Sequence, residues 1–163
     1  VIDRRALRRP HEQAVRTMLT DQIHASAVAV AGRGCLITGR PGSGKSRLAI
    51  KMIALGARLV ADDRVVIRRI DDAAVLSAPP RIAGVVEARG VGLIRLPETV
   101  EVPAALIVNL DRRAESRLPS VPTNDLLGIG CPVIFGRDVE ELPAILMLAL
   151  AGDVLDPDSA MEP

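Results

Sequence analysis

Short apolar runs cut by turn-forming residues dominate this chain, and few stretches repeat hydrophobic positions at helical spacing. Ser26 to Val30 and Gly34 to Thr38 read as a hairpin turning at Ala31-Gly32-Arg33. Leu48, Ala49, Met52, Ile53 and Leu55 fall on one helical face, so a helix is expected from Lys45 to Leu55, stopped by Gly56. Arg58 to Ala61 is a strand ending in Asp62-Asp63. Val65 to Ile67 and Ala74 to Leu76 form a second hairpin around Asp71-Asp72, and Pro79-Pro80 then interrupts the strand ladder. Val85 to Ala88 and Leu93-Ile94 are two further strands, and Ala105 to Val108 is the best-defined buried one. The polar, proline-containing segment from Asp111 to Asn124 reads as a surface loop. Val133 to Phe135 is a late strand, Val139 to Ala151 a final helix despite Pro143, and His11 to Asp21 a short helix near the start. Many short strands with few helices predict a sheet-rich α/β protein rather than an alternating βαβ array.

Composition narrows this picture. The 163 residues are enough for one domain with a real core, taken here as residues 1–163 with loosely ordered ends at 1–12 and 153–163. Hydrophobic residues make up 48% of the chain but aromatics only 1%, so Val, Leu, Ile and Ala must build the core. A formal net charge of +1 gives no general argument for nucleic acid or membrane binding. Arg4, Arg5, Arg8 and Arg9 at the start read as a solvated terminus. No apolar run is long enough for a membrane span and no secretory segment opens the chain. Cys35 and Cys131 lack metal-ligand spacing and sit in apolar runs, which points to reduced thiols in the cytoplasm. Val1 rather than Met opens the sequence, consistent with processing, truncation or an alternative start codon.

The candidate chemistry begins at Gly39-Arg40-Pro41-Gly42-Ser43-Gly44-Lys45-Ser46, which fits G-x-x-x-x-G-K-[ST]. The apolar run Cys35 to Thr38 precedes it and a helical pattern succeeds it. Strand, glycine turn and helix in that order aim backbone N–H groups and a positive helix end at a phosphate. Lys45 is expected to reach the β/γ-phosphates and Ser46 to take a magnesium site, so ATP or a similar polyphosphate is the expected ligand. Such a site also needs a carboxylate near the metal, and two positions compete. Asp111 follows the apolar run Ala105 to Leu110 in the manner of a Walker B strand, whereas Asp62-Asp63 lies one helix beyond the glycine loop. Adjacent residues on a regular strand point to opposite faces, so both aspartates reach one site only if the chain bends there.

Several segments in order, from His24 to about Arg137, resemble the catalytic domain of the HPr kinase/phosphorylase family. His24 stands fifteen residues before Gly39, where the family keeps a histidine. Gly56 to Val65 (GARLVADDRV) is similar to the family's G-H-x-L-V-A-D-D-x-V, and Ala78-Pro79-Pro80 to its A-P-P turn. Glu87 to Ile94 (EARGVGLI) is similar to E-x-R-G-L-G-I-I, and Pro132 to Arg137 to P-V-x-x-G-R-N. The departures are Ala57 for the usual histidine, Asp138 for asparagine, a shortened region between Ile94 and Ala105, and an unmatched tail from Gly152. The family's large N-terminal domain is missing, so the chain looks like a short, catalytic-domain-only form.

The resemblance implies a P-loop-containing, sheet-rich α/β kinase core of the HPr kinase / phosphoenolpyruvate carboxykinase type. It implies an ATP- and Mg2+-dependent serine kinase acting on an HPr-type phosphocarrier protein, with a hexamer by family analogy. Ser46 and Glu87 would hold the metal. The Asp62-Asp63 pair would supply the base, by motif position Asp63, since an exposed aspartate is ionised at neutral pH. His24 and Arg137 match active-site positions, with Arg137 able to stabilise the moving phosphoryl group, and Arg89 matches a phosphate- or partner-contacting position. The family also runs phosphorolysis, in which inorganic phosphate attacks the phosphoserine and pyrophosphate leaves. Its C-terminal end carries residues needed mainly for that reverse reaction. Two other readings stay open: a kinase of a small metabolite, and a non-enzymatic nucleotide-sensing module.

Overall fold

The computed structural model describes residues 19–160. The basic opening, most of the expected helix from His11 to Asp21, and residues 161–163 lie outside the described residues. Strands β1 (Thr20–Ile23), β2 (Ser26–Val30) and β3 (Arg33–Thr38) lead into helix α1 (Lys45–Ala54). Then come β4 (Arg58–Ala61), β5 (Val65–Ile70), β6 (Ala73–Ser77), a 3-10 turn at Pro80–Ile82, β7 (Val85–Ala88) and β8 (Gly92–Arg95). Strands β9 (Val102–Asn109), β10 (Thr123–Leu126) and β11 (Ile129–Phe135) precede α2 (Leu142–Ala151) and a helical turn, α3 (Pro157–Ala160).

Nine strands join one sheet in the order β1-β5-β6-β9-β3-β2-β4, with β11 paired to β9 and β10 to β11. β9 is the hub. Its first residues pair antiparallel with β6 through Val102 and Pro103, while Ile107 to Asn109 pair parallel with β11 on the same edge. Its other edge runs parallel to β3 from Gly34↔Ala104 to Thr38↔Asn109. β7 and β8 form a separate two-stranded ribbon.

Central strands are apolar on both faces because both faces are covered. Leu36, Ala27, Ala29 and Ile107 pack with Val60, Val65, Ile67 and Leu76 on one side. Cys35, Ile37, Val28, Leu106 and Val108 pack on the other against Leu48, Ala49 and Met52 of α1 and Leu142, Leu146 and Leu150 of α2. The first hairpin turns through Ala31 (φ 51) and Gly32 (φ 72), two positive-φ residues as a two-residue hairpin loop requires.

Several elements differ from the sequence expectation. Thr20 and Asp21 belong to β1 rather than to a helix end, pairing with Arg68 and Ile67 of β5. Thr123 and Asn124 begin β10 rather than closing a loop. α2 starts at Leu142 rather than Val139, with Pro143 in its first turn, where a missing N–H costs no helical hydrogen bond. Among the described residues no helix is long and apolar enough to cross a membrane.

Candidate active site

β3, β9 and β11 are parallel, and β4 runs the same way because it and β3 each pair antiparallel with β2. Their C-terminal ends therefore share one edge of the sheet, where open α/β sheets place ligands. Along that edge stand Asp62-Asp63 after β4, His24 and Ser26 at the entry to β2, the glycine loop after β3, Leu110-Asp111 after β9, and Gly136-Arg137 after β11.

The loop Gly39–Ser46 is tightly wound. Gly39, Gly42 and Gly44 have φ of 153, 81 and 97. A Cβ on Gly39 would run into the Ser43 side chain, at a φ that side chains rarely adopt, so glycine suits this position. Lys45 opens α1 and is only 7% exposed. Its ammonium donates to the carbonyls of Gly39 (2.8 Å) and Arg40 (3.1 Å), neither of which carries charge. A buried cation held by neutral dipoles alone leaves an uncompensated positive charge. The N-cap, Gly44, offers no side-chain cap and the first turn has no acid, so the positive helix end is open too. Ser43 Oγ is buried in the loop without a hydrogen-bond partner. An anion would satisfy all three features.

Asp62 is the organising carboxylate. It is 4% exposed and accepts three hydrogen bonds. Ser46 Oγ donates to its Oδ1 at 2.8 Å, Ser26 Oγ to the same oxygen at 2.6 Å, and the Glu87 backbone N–H to Oδ2 at 3.1 Å. Asp62 thus ties α1, β2 and β7 together. Of the two competing aspartate positions, this is the one that meets Ser46. Asp111 lies on the other side of the loop and accepts from the Arg40 backbone N–H at 2.9 and 3.2 Å, clamping the loop's start.

The chain does bend after Asp62. Asp63 has φ 67, and the Arg64 N–H donates back to the Asp62 carbonyl at 2.8 Å. An i to i+2 hydrogen bond around a positive-φ residue is the rare, strained kind of γ-turn, and strain of this sort clusters at functional sites. Asp63 thereby faces solvent and His24, whose Nε2 lies 2.8 Å from Asp63 Oδ1. Glu87 is joined to the cluster through its backbone, its side chain being exposed on β7. Arg89 is exposed in the β7–β8 turn. Arg137 shares the edge but stands beyond β2, β3 and β9 from the aspartate pair, its guanidinium 3.9 Å from Asp138. Arg112 stacks over Phe135 nearby, 4.3 Å from the ring centroid.

Sequence reasoning missed Ser26. Its signal was a lone hydroxyl inside the apolar run Ala25 to Val30, and it is fully buried with its hydrogen bond spent on Asp62. Cys35 and Cys131 are buried free thiols away from this edge. Burial, with a smaller contribution from Cys131, pushes Cys35 up to about 12, and burial pushes Cys131 up to about 11.

Among the described residues no group of three or more His, Cys, Asp and Glu side chains gathers as a metal cage. Magnesium rarely uses one: it takes one or two protein oxygens and completes its shell with water and substrate phosphates. Ser46, held by Asp62, with the exposed Glu87 carboxylate at the same corner, fits that donor set.

Residues 16–102 match the family model described as HPr Serine kinase C-terminal domain. The HPr kinase/phosphorylase of Clostridium acetobutylicum is 45% identical over 76 residues, 47% of this chain and 25% of that protein. That of Geobacillus kaustophilus is 47% identical over 78 residues, again 47% of this chain and 25% of that protein. The matched region spans a quarter of the length of these relatives. The solved structure of the Hpr(Ser) kinase/phosphatase from Coxiella burnetii shares the sheet-rich α/β fold, with a TM-score of 0.70 at 25% identity over 80% of this chain and 93% of that one.

Proposed function

The chain belongs to the HPr serine kinase C-terminal domain family, and on that footing we propose that it is an ATP- and Mg2+-dependent serine kinase acting on an HPr-type phosphocarrier protein. The observation that carries this reading is Lys45: a buried ammonium with only neutral partners, at the mouth of a glycine loop, beside the Ser46–Asp62 hydrogen bond.

Phosphoryl transfer asks for positioning and charge compensation more than for covalent catalysis. The loop N–H groups and Lys45 would bind the β- and γ-phosphates. Ser46 and Glu87 would hold Mg2+, with Asp62 fixing the Ser46 hydroxyl. When bound, the metal neutralises phosphate charge. Asp63, exposed and steadied by His24, takes the proton from the seryl hydroxyl. Arg137, from the far end of the edge, stabilises charge on the transferring group. The β7–β8 ribbon with Arg89, beside the Asp62-Asp63 end of the edge, would form the rim on which the carrier sits and excludes water. In the reverse direction, inorganic phosphate in the same cradle would attack the phosphoserine phosphorus, and the serine O–P bond would break. The protonated aspartate would return its proton to the serine oxygen, and pyrophosphate would leave.

Incubation with γ-labelled ATP, Mg2+ and a purified HPr-type carrier tests this. Label recovered as phosphoserine on the carrier supports the reading. Label appearing only on a small metabolite, or ATP binding without transfer to either, overturns it.

A further inference from the structure

A cleft of about 560 Å³ opens from the glycine loop into the space between α1 and α2. Ser43 and Gly44 form its mouth. α1 lines one wall with Arg47 and Lys51, while Val139 and Pro143 line the other. Leu48, Leu110 and Leu142 form an apolar floor. α2 borders the cleft from its first residues, Leu142 to Ala144. The linker between β11 and α2, turned by positive φ at Asp138 (58) and Glu141 (53), contributes Val139 and Glu141 to the same lining.

We infer that this cleft binds the nucleoside of the nucleoside triphosphate whose phosphates lie on the glycine loop. The inference rests on the kinase reading above, and geometry chooses the side. In phosphoryl transfer the attacking and leaving oxygens lie roughly in line on opposite sides of the γ-phosphorus. The acceptor side is the β4 side of the loop, where Asp63 and His24 stand and where Asp62 and β7 fill the space. The leaving oxygen, with the rest of the nucleotide attached, must therefore point across the sheet toward β9 and β11. The α1–α2 cleft opens on that side, directly from Ser43 and Gly44.

Its chemistry suits this occupant. The volume lies within the range of small-ligand sites, and an apolar floor with a few polar groups is the usual lining. The chain's one phenylalanine, Phe135, is not part of the lining, so no aromatic ring can stack on a base. The exposed Arg47, in the first turn of α1 beside the loop, adds positive charge where the α-phosphate and ribose would lie. One turn further from the loop, Lys51, Ala54 and Leu55 continue the α1 wall where the base would lie.

The test measures calorimetric binding of Mg-ATP and of inorganic tripolyphosphate to the whole chain and to two variants that fill the cleft. Ala144→Phe places a ring from the exposed face of α2 into the cleft, and Val139→Phe does so from the linker. Both variants are first checked for an unchanged thermal transition. Each should weaken ATP about tenfold or more and leave tripolyphosphate within about twofold. ATP binding unchanged in a folded variant places the nucleoside elsewhere and overturns the inference. So does a wild-type chain that binds tripolyphosphate as tightly as ATP. A wild-type chain that binds neither overturns the phosphate-loop reading itself, and this inference with it.

Discussion

Ser26→Ala isolates the Asp62 hub from the exposed parts of the site. Ser26 is fully buried, and its hydroxyl donates to Asp62 Oδ1 at 2.6 Å. Removing it takes one charge-assisted hydrogen bond from a carboxylate that is 4% exposed and cannot recruit bulk water in its place. Such a bond is worth about 1.5–3 kcal/mol, and the missing oxygen leaves too small a space to add much. For a chain of this size each kcal/mol moves the thermal midpoint by about 2–4 °C, so Ser26→Ala should melt about 3–12 °C lower. With no Trp or Tyr and one Phe, far-UV circular dichroism rather than fluorescence tracks unfolding. A double-mutant cycle with Asp62→Ala then separates this bond from general packing, and a coupling of about 1 kcal/mol or more is expected. A Ser26→Ala protein as stable as wild type, with near-zero coupling, would show that the Ser26–Asp62 contact does not organise the site.

The same geometry sets other outcomes. Lys45→Ala removes the cation nearest the phosphates and should weaken ATP binding or turnover by about two orders of magnitude, read by calorimetry and label transfer. Asp111→Asn keeps an acceptor oxygen for the Arg40 N–H and should leave transfer near normal, whereas Asp63→Asn should nearly abolish transfer at intact ATP affinity. The reverse pattern would make Asp111 the functional acid. The buried thiols should not react with a disulfide reagent at pH 8 until the protein is denatured. Because both thiols are raised in the folded state, their contribution to stability is present below the ordinary thiol value of 9.0 and is lost as pH rises toward about 11 and 12. A urea titration series from pH 8 to 10.5, compared with the double Cys→Ala variant, reads that loss.

Much of this architecture is legible in the sequence because apolar runs and turn residues agree with each other. The Ala31-Gly32 turn, the α1 face of Leu48, Ala49 and Met52, and the apolar stretch of β9 all fall where periodicity puts them. β1 (TDQI) and β10 (TNDL) were not legible. Each pairs with a single neighbour, leaves most of its residues exposed, and so carries polar side chains without the apolar signature of a strand. Pro143 reads from the sequence as lying inside a helix from Val139, but it sits in the first turn of α2, where a proline leaves no N–H unsatisfied. At the site, Asp62-Asp63 competes with Asp111 until the family resemblance favours the pair, whereas the glycine loop could be read directly. Which aspartate meets Ser46 could not, because that depends on a single positive φ at Asp63 and on a buried serine 36 residues earlier in the chain. The α1–α2 cleft was equally invisible, being made by the separation of two helices far apart in sequence.

Phosphoserine formation on an intact HPr-type carrier, compared with its isolated serine-containing peptide under ATP and Mg2+, tests the central claim most directly. The account predicts rapid transfer to the folded carrier, loss of that transfer in Lys45→Ala, and far slower transfer to the peptide, which cannot cover the rim formed by the β7–β8 ribbon. Equal rates on carrier and peptide, or no transfer to any carrier from the same cell, would contradict it.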